Sequence, residues 1–443
     1  FISAKNRYGV NGIIRKIKNI FQNKKVKATV LGVSNVGKSS VINLLLGNNK
    51  ITTSKYSGTT LKSINNKIKT LKLLYFRNYL SLNIEVHPSL NVLVGDNANG
   101  KTNIIESIFC LALGKSYRTK SDSECIMFGE EAAAMSCVLE KNDKMLDIML
   151  GINNKGKSAK IAGLKKTKLT DFVGELNVVL FSPEDLQIIK GSPSLRREFI
   201  NREFYQFSRI YHKYYLLYQH LLKQRNSYLK DMRKNPKDEF SLAYLETITS
   251  QLVKIAMYIT KERALFIKNL SKLAQKNMLN ISNHKEDLEL KYKSSILDML
   301  NINSVEDKDF NEENIIKKIM DKSYDDIMRG STRIGPHHDD LEFFINKLDA
   351  KMYASQGQQR SIVLSLKLSE IDYLKSKTGS YPILLLDDVL SELDRNRQLK
   401  LLDAINENVQ TFITTPSISD IKEDLLKKAK VFKINNGTIS EIL

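Results

Sequence analysis

Three short stretches of this chain carry residue types at spacings suited to phosphate chemistry. The first, Gly95-Asp96-Asn97-Ala98-Asn99-Gly100-Lys101-Thr102, has the form G-x-x-x-x-G-K-T. Its glycines let backbone N–H groups wrap a polyphosphate, and a helix opening behind them adds the partial positive charge of its N-terminus. In such a loop Lys101 reaches the β- and γ-phosphates, and the Thr102 hydroxyl is a Mg²⁺ ligand. The second, Ile383-Leu384-Leu385-Leu386-Asp387-Asp388, is an apolar run ending in two carboxylates, the Walker B form. Asp387 is the candidate metal ligand, and Asp388 the candidate catalytic group that orients or deprotonates an attacking water. The third, Ser355-Gln356-Gly357-Gln358-Gln359-Arg360, opens a helical pattern and by composition alone is a polar cap.

The elements that must position these residues follow from periodicity. Leu71–Phe76, Leu82–Val86 and Asn91–Val94 are short strand-type runs, and the last leads into the Gly95 loop and an apolar helix from Thr102 to Leu113. Met135–Leu139, Leu146–Ile152 and Lys157–Ile161, with a turn at Asn153–Gly156, predict an antiparallel sheet. Val178–Phe181 is a further strand. From Ser194 to about Asn280 glycine is absent and helical patterns take over, broken once at Pro236, which predicts an antiparallel helical hairpin. Its tyrosines 205, 211, 214, 215 and 218 recur at helical spacing and read first as packing groups, second as base-stacking groups. After Gly330 helix Gln356–Lys375, strand Ile383–Leu386, helix Arg395–Asn406, strand Thr411–Thr414 and a terminal hairpin follow. The expected organisation is one α/β domain in two halves, 68–193 and 330–443, interrupted by a helical arm over 194–329. Residues 1–66 form a separate piece.

Composition narrows the class. The 443 residues are 42% apolar, and no apolar run approaches the ~18–20 residues that cross a bilayer. Three cysteines without C-x-x-C spacing read as free thiols in a reducing cytoplasm, and six histidines argue against an imidazole-based metal cluster. The net charge of +20 suggests a polyanionic partner. However, residues 1–67 hold 13 Lys and Arg and no acid, leaving 56 basic against 49 acidic residues elsewhere. The charge is thus mostly a property of the first piece.

With a phosphate loop upstream and Walker B 32 residues downstream, Ser355–Arg360 resembles the signature of ABC-type ATPases. The order of phosphate loop, helical insertion, signature, Walker B and Ser391-Glu392-Leu393-Asp394 extends that likeness over about 68–443. Leu73–Tyr79, Phe181–Leu186, Lys190–Pro193, Arg196-Arg197 and Ile334–Asp340 add strings similar to the SMC-like branch that acts as recombination mediators. The resemblance implies ATP and Mg²⁺ as cofactors, and Ser355, Gly357 and Gln358 contacting the ATP held by a second copy. It further implies an ATP-dependent homodimer, single-stranded or gapped DNA, and RecO and RecR as partners in loading RecA, with slow hydrolysis controlling release. Basic residues around Arg196–Arg202 and along the arm are candidate DNA contacts, most of them an ordinary solvated face. His338 stands where the branch commonly has Arg, and no firm role follows for Thr414-Thr415.

Residues 1–66 point elsewhere. Gly32-Val33-Ser34-Asn35-Val36-Gly37-Lys38-Ser39 is a GTPase-style loop between an expected strand, Lys27–Leu31, and an expected helix, Ser39–Leu46. Ser57–Thr60 is similar to a switch segment, and Ser3-Ala4-Lys5 to a guanine-contacting motif placed as in circularly permuted GTPases of the YqeH type. No D-x-x-G follows Thr60 and no N-K-x-D is present, so Gly32, Gly37, Lys38 and Ser39 read as a vestigial GTP loop on a fragment. The alternative function is ribosome assembly by a GTPase acting through this piece.

Overall fold

The computed structural model describes residues 66–141, 144–234, 239–390, 393–394, 397–398, 400–401, 408–418, 421 and 426–442. The chain divides after Asn65 into two compact units. The strand, loop and helix expected within 1–65, Ser391-Glu392 and most of the helix expected at Arg395–Asn406 lie outside the described residues.

The second unit opens with β1 (Asn66–Phe76), β2 (Tyr79–Glu85) and β3 (Leu90–Val94), followed by helix α1 (Lys101–Leu113). Strands β4 (Ala132–Lys141), β5 (Lys144–Asn153), β6 (Gly156–Ile161) and β7 (Leu164–Lys166) continue β1 and β2 into an antiparallel sheet of order β2-β1-β4-β5-β6-β7. Period-two alternation places Ile148, Leu150 and Ile152 inside and Met145, Asp147 and Met149 outside.

The second sheet has the order β15-β14-β3-β13-β12-β8, from β8 (Val178–Phe181), β12 (Ile383–Leu386), β13 (Thr411–Thr415), β14 (Ala429–Asn435) and β15 (Thr438–Glu441). Its four pairs from β14 to β8 run parallel, and only β15 is antiparallel. The four-residue runs Val178–Phe181 and Ile383–Leu386 are wholly buried, as expected for a parallel sheet covered on both faces. Alternate residues serve two cores. Val178, Leu180, Ile383, Leu385 and Phe412 pack with α1 and the antiparallel sheet; Val179, Phe181, Leu384, Leu386 and Ile413 pack toward the helices.

The helical part comprises α2 (Pro193–Phe207), α3 (Arg209–Lys234) and α4 (Glu239–Ile281). At 1.5 Å per residue, the 43-residue α4 is about 65 Å long. Contacts Tyr211–Arg263, Tyr214–Tyr258 and Tyr228–Tyr244 make α3 and α4 antiparallel. Tyr211 and Tyr218 are buried, Tyr211 stacking on Phe204 at 3.9 Å, so these two are packing groups. The stretch 194–329 is not helical throughout. Residues 288–293 form β9, whose Leu288, Leu290 and Tyr292 alternate with Glu289, Lys291 and Lys293. That alternation is a strand pattern, and β9 pairs with β10 (Asp340–Ile345), itself paired with β11 (Leu348–Asp349). Helices α5 (Ser295–Leu300), α6 (Glu312–Asp321) and α7 (Ser323–Arg329) complete the segment, and α8 (Gln356–Thr378) packs along α4. Among the described residues no helix is long and apolar enough to cross a membrane, and Cys110, Cys125 and Cys137 are free and buried.

Candidate nucleotide site

The phosphate loop leaves the C-terminal end of β3 and ends at α1. Gly100 adopts φ 108°, and a Cβ there would lie 2.6 Å from Asn78 Nδ2 and 3.0 Å from the Tyr79 hydroxyl. At Gly95 a Cβ would lie 2.4 Å from the Ile434 carbonyl oxygen. Both glycines are therefore required for close backbone approach. The loop is braced from outside by Asn78 Nδ2 donating to Asn99 O (3.0 Å), Tyr79 Oη donating to Gly100 O (3.0 Å), and Gly437 N–H donating to Asn99 O (3.2 Å). Lys101 is buried, its ammonium donating to Gly95 O (2.6 Å) and Asp96 O (3.3 Å) across the loop. Asp96, Asn97 and Ala98 are exposed at its tip.

Because β13 lies between β3 and β12, the end of the Walker B strand is brought to the loop across one intervening strand. Thr102 Oγ1 donates to Asp387 Oδ1 (2.9 Å) across 285 residues of sequence. Tyr117 Oη donates to Asp387 Oδ2 (2.7 Å), and Thr414 Oγ1 lies 3.0 Å from Asp387 Oδ1 and 3.3 Å from Asp388 Oδ1. The Asp388 N–H donates to Thr414 Oγ1 (2.8 Å), and Asp388 takes φ 51° immediately after the strand. Burial, then the neighbouring Asp387 charge, holds the Tyr117 phenol well above its usual range, so it stays a hydrogen-bond donor. A threonine hydroxyl and a carboxylate, both hard oxygen donors 2.9 Å apart, fit Mg²⁺, and the glycine-lined backbone fits a polyphosphate.

Behind the loop, Glu106 on α1 is fully buried and fully paired. Arg77 grips it with Nε at 3.0 Å and Nη2 at 2.6 Å; Arg118 Nη1 (3.2 Å) and Ser116 Oγ complete the set. The string around Arg77-Asn78-Tyr79 thus ties the antiparallel sheet to α1 and to the loop. Asn78, Tyr79, Tyr117 and Thr414 support the site without belonging to its motifs; the first two lie in Leu73–Tyr79, and no local pattern marks Tyr117.

Ser355, Gly357 and Gln358 stand apart from this cluster. Ser355 caps α8 in a capping box, its Oγ accepting from Gln358 N–H (3.2 Å) while Gln358 Oε1 accepts from Ser355 N–H (2.9 Å). Gln358 Nε2 donates to Glu286 (3.0 Å), and Arg397 Nη2 donates to Gly357 O (2.8 Å). Ser355 and Gln356 are exposed. Among the described residues, Ser355–Gln358 bond to one another, to Glu286 and to Arg397, away from Gly95–Thr102.

The string Ile334–Asp340 does not join the nucleotide cluster either. Asp339 is fully buried and accepts from Tyr292 Oη and Ser295 N–H (2.9 Å), with Arg263 Nη1 at 3.6 Å. Arg263, also fully buried, donates to Tyr211 Oη (2.9 Å), Pro336 O (2.6 Å) and Asn201 Oδ1 (2.9 Å). Burial opposes its charge, yet Tyr211, Tyr292 and Asp339 together raise its basicity. His337 Nε2 donates to Thr332 O (3.0 Å), so Nδ1 accepts from Tyr218 Oη (2.6 Å). Burial lowers the His337 pKa to about 4. His338 is exposed, with its Nε2 3.2 Å from Thr332 O. Arg196, a candidate DNA contact by sequence, is instead 4% exposed and forks onto Asp340 at 2.6 and 2.9 Å. Arg197 donates to Asp339 O (2.9 Å) and Arg202 pairs with Glu203 (3.3 Å). Carboxylates and carbonyls within reach turn these arginines inward.

A phosphate loop and a Walker B carboxylate meeting across a parallel sheet, with an exposed capped helix displaced from both, define an ABC-type ATPase. The model of the RecF/RecN/SMC N terminal domain matches residues 67–440, and that of the 50S ribosome-binding GTPases matches 27–76. The DNA replication and repair protein RecF of Staphylococcus haemolyticus is 44% identical over 373 residues, 84% of this chain and 99% of that protein. Its counterpart in Staphylococcus aureus is 43% identical over the same coverage. A solved structure of the recombination mediator protein RecF-ATP in the RecFOR pathway aligns with TM-score 0.79 at 32% identity, over 87% of this chain and all of that one. The chain belongs to the RecF family.

Proposed function

We propose that this protein is an ATP-dependent DNA-binding protein of recombinational gap repair and replication. In this reading it binds single-stranded or gapped DNA, helps RecO and RecR load RecA, and uses slow hydrolysis to control dimerisation and release. The observation that carries the nucleotide part is the 2.9 Å link between Thr102 and Asp387 beneath a glycine-lined loop. The names of its relatives support the repair role.

Gly95, Asp96, Asn97, Ala98, Asn99 and Gly100 would hold the triphosphate through backbone amides, with Lys101 swinging from the Gly95 carbonyl onto the β/γ-phosphates. Thr102 and Asp387 would hold Mg²⁺, which supplies charge neutralisation as the phosphoryl group leaves. Asp388, hinged at φ 51° beside Thr414, would orient the attacking water. Ser355, Gly357 and Gln358 would reach the γ-phosphate held by a second copy, because α8 presents a capped, exposed N-terminus whose first-turn amides suit an anion.

The test is ATP hydrolysis with and without gapped DNA, in wild type and Lys101→Ala. Loss of hydrolysis in Lys101→Ala with DNA stimulation of the wild type is the expected result. The GTPase match over 27–76 favours a second reading, ribosome assembly through Lys38. If Lys38→Ala removed all nucleotide hydrolysis and Lys101→Ala removed none, the second reading would replace the first.

A further inference from the structure

The composite site just proposed needs two copies of the chain, and each of its halves carries an exposed apolar shoulder. Beside the signature, Leu348, Met352 and Tyr353 are 55%, 72% and 69% exposed, three large apolar side chains within six residues. They are not on a loose loop. The β10–β11 hairpin turns at Asn346-Lys347, with Asn346 Oδ1 accepting from Asp287 N–H (2.8 Å). Asp349 Oδ1 accepts from Lys351 N–H (2.8 Å), and Gln359 Nε2 donates to Ala354 O (2.8 Å), locking the helical turn Ala350–Tyr353 onto α8. Lys347 and Lys351 are exposed around these apolar groups.

Beside the phosphate loop the pattern repeats with opposite charge. Phe128 is fully exposed at a turn closed by Glu130 N–H donating to Met127 O (3.1 Å). That turn is pinned to the loop-bracing segment by Met127 N–H to Tyr75 O (2.8 Å) and Arg77 N–H to Cys125 O (2.9 Å). Leu74 and Leu80, on the same β1–β2 hairpin, are 45% and 60% exposed. Glu124, Glu130 and Glu131 are exposed on the same segment as Phe128. Large apolar side chains clustered on a hydrogen-bonded backbone are what a specific interface can bury.

We propose that Leu348, Met352 and Tyr353 of one copy dock on Phe128, Leu74 and Leu80 of the second copy when ATP joins them. Three observations favour a second copy of this chain as the occupant. Each shoulder is continuous with one half of the composite site, the two carry complementary charge, and every copy owns both. A two-fold axis then forms this contact twice. The inference rests on the ATP-bound dimer of the previous section and assigns its apolar contacts.

The test uses the full chain and sedimentation velocity with and without ATP. Wild type should dimerise with ATP. Met352→Asp, Tyr353→Asp and Phe128→Asp should each weaken ATP-dependent dimerisation about tenfold or more, while thermal midpoint and ATP affinity of the monomer stay unchanged. Phe128→Cys and Tyr353→Cys, mixed and treated with a short bis-maleimide, should cross-link between chains only with ATP, since the native thiols are buried. Neither variant alone should do so. A wild-type dimer matched by equally tight dimers of all three Asp variants would overturn the shoulder assignment and leave the composite site standing. A wild type that stays monomeric with ATP bound would overturn both.

Discussion

Two polar clusters in this molecule read alike in sequence and behave differently in the fold. Gly95–Thr102 with Asp387-Asp388 forms a site whose loop tip is exposed and whose Asp387 accepts from neutral threonine and tyrosine hydroxyls. Ile334–Asp340, which likewise joins a glycine to paired aspartates, folds inward onto Arg263, where Asp339 and Asp340 already have arginine partners. The first is built to exchange partners and the second to keep them. The difference lies in what closes each cluster: backbone and hydroxyl groups in one, a fixed guanidinium in the other. A buried charge whose partner is removed costs about 3–5 kcal/mol, far more than a surface pair.

The comparison breaks most sharply at Arg263. Arg263→Met should lower the unfolding free energy by about 3–5 kcal/mol, because Asp339 would stay buried without its counter-charge and Asn201 would lose one of its donors. Urea unfolding of the full chain measures it. A loss below about 1 kcal/mol would mean the inward cluster is not held by its charges. Lys101→Ala is the mirror experiment. Hydrolysis should fall at least about a hundredfold while the thermal midpoint moves only a few degrees, since Lys101 contacts two carbonyls and no buried charge.

A gentler probe is acid. Burial, helped by the nearby positive charges of Arg197 and Arg225, lowers the His337 pKa from 6.5 to about 4. A depressed histidine pKa contributes stability that is fully present above about 6.5 and is lost as pH falls toward 4. At about 1.4 kcal/mol per unit, the loss is roughly 3 kcal/mol. His337→Gln should be less stable at pH 7 and show a flatter stability curve between pH 6.5 and 4. An unchanged slope would place the acid sensitivity in other groups.

This contrast also explains what could be read in advance. The loop, the Walker B strand and the cap of α8 were legible because each rests on local spacing: glycines five residues apart, an apolar run ending in acids, a capping pair three residues apart. Strands β8 and β12 were placed to the residue for the same reason. Thr414 was opaque because its role exists only once β13 is known to lie between β3 and β12. Tyr117 and Asn78 reach their partners across 270 and 21 residues through sheet packing, which no periodicity encodes. Strand β9 was absorbed into the helical segment because six alternating residues are outweighed by the long helical text before them. Arg196 and Arg197 looked like a basic surface because charge is visible in sequence and burial is not.

The smallest expected effect tests whether the cleft owes its shape to its own glycines or to the sheet behind it. Tyr79 is buried, and its hydroxyl donates to Gly100 O at 3.0 Å, at the point where α1 begins. Tyr79→Phe keeps the ring in the core and removes one neutral hydrogen bond, a cost of about 1 kcal/mol. If the sheet shapes the loop, that cost should appear in the nucleotide-binding form, as an ATP affinity about fivefold weaker with kcat little changed. If the glycines alone shape it, the same energy should appear as a lower thermal midpoint at unchanged affinity. Isothermal titration with ATP alongside thermal unfolding separates the two. The 2.6 Å approach that a Cβ at Gly100 would make to Asn78 argues for the first outcome, because the loop is already pressed against the residues that support it.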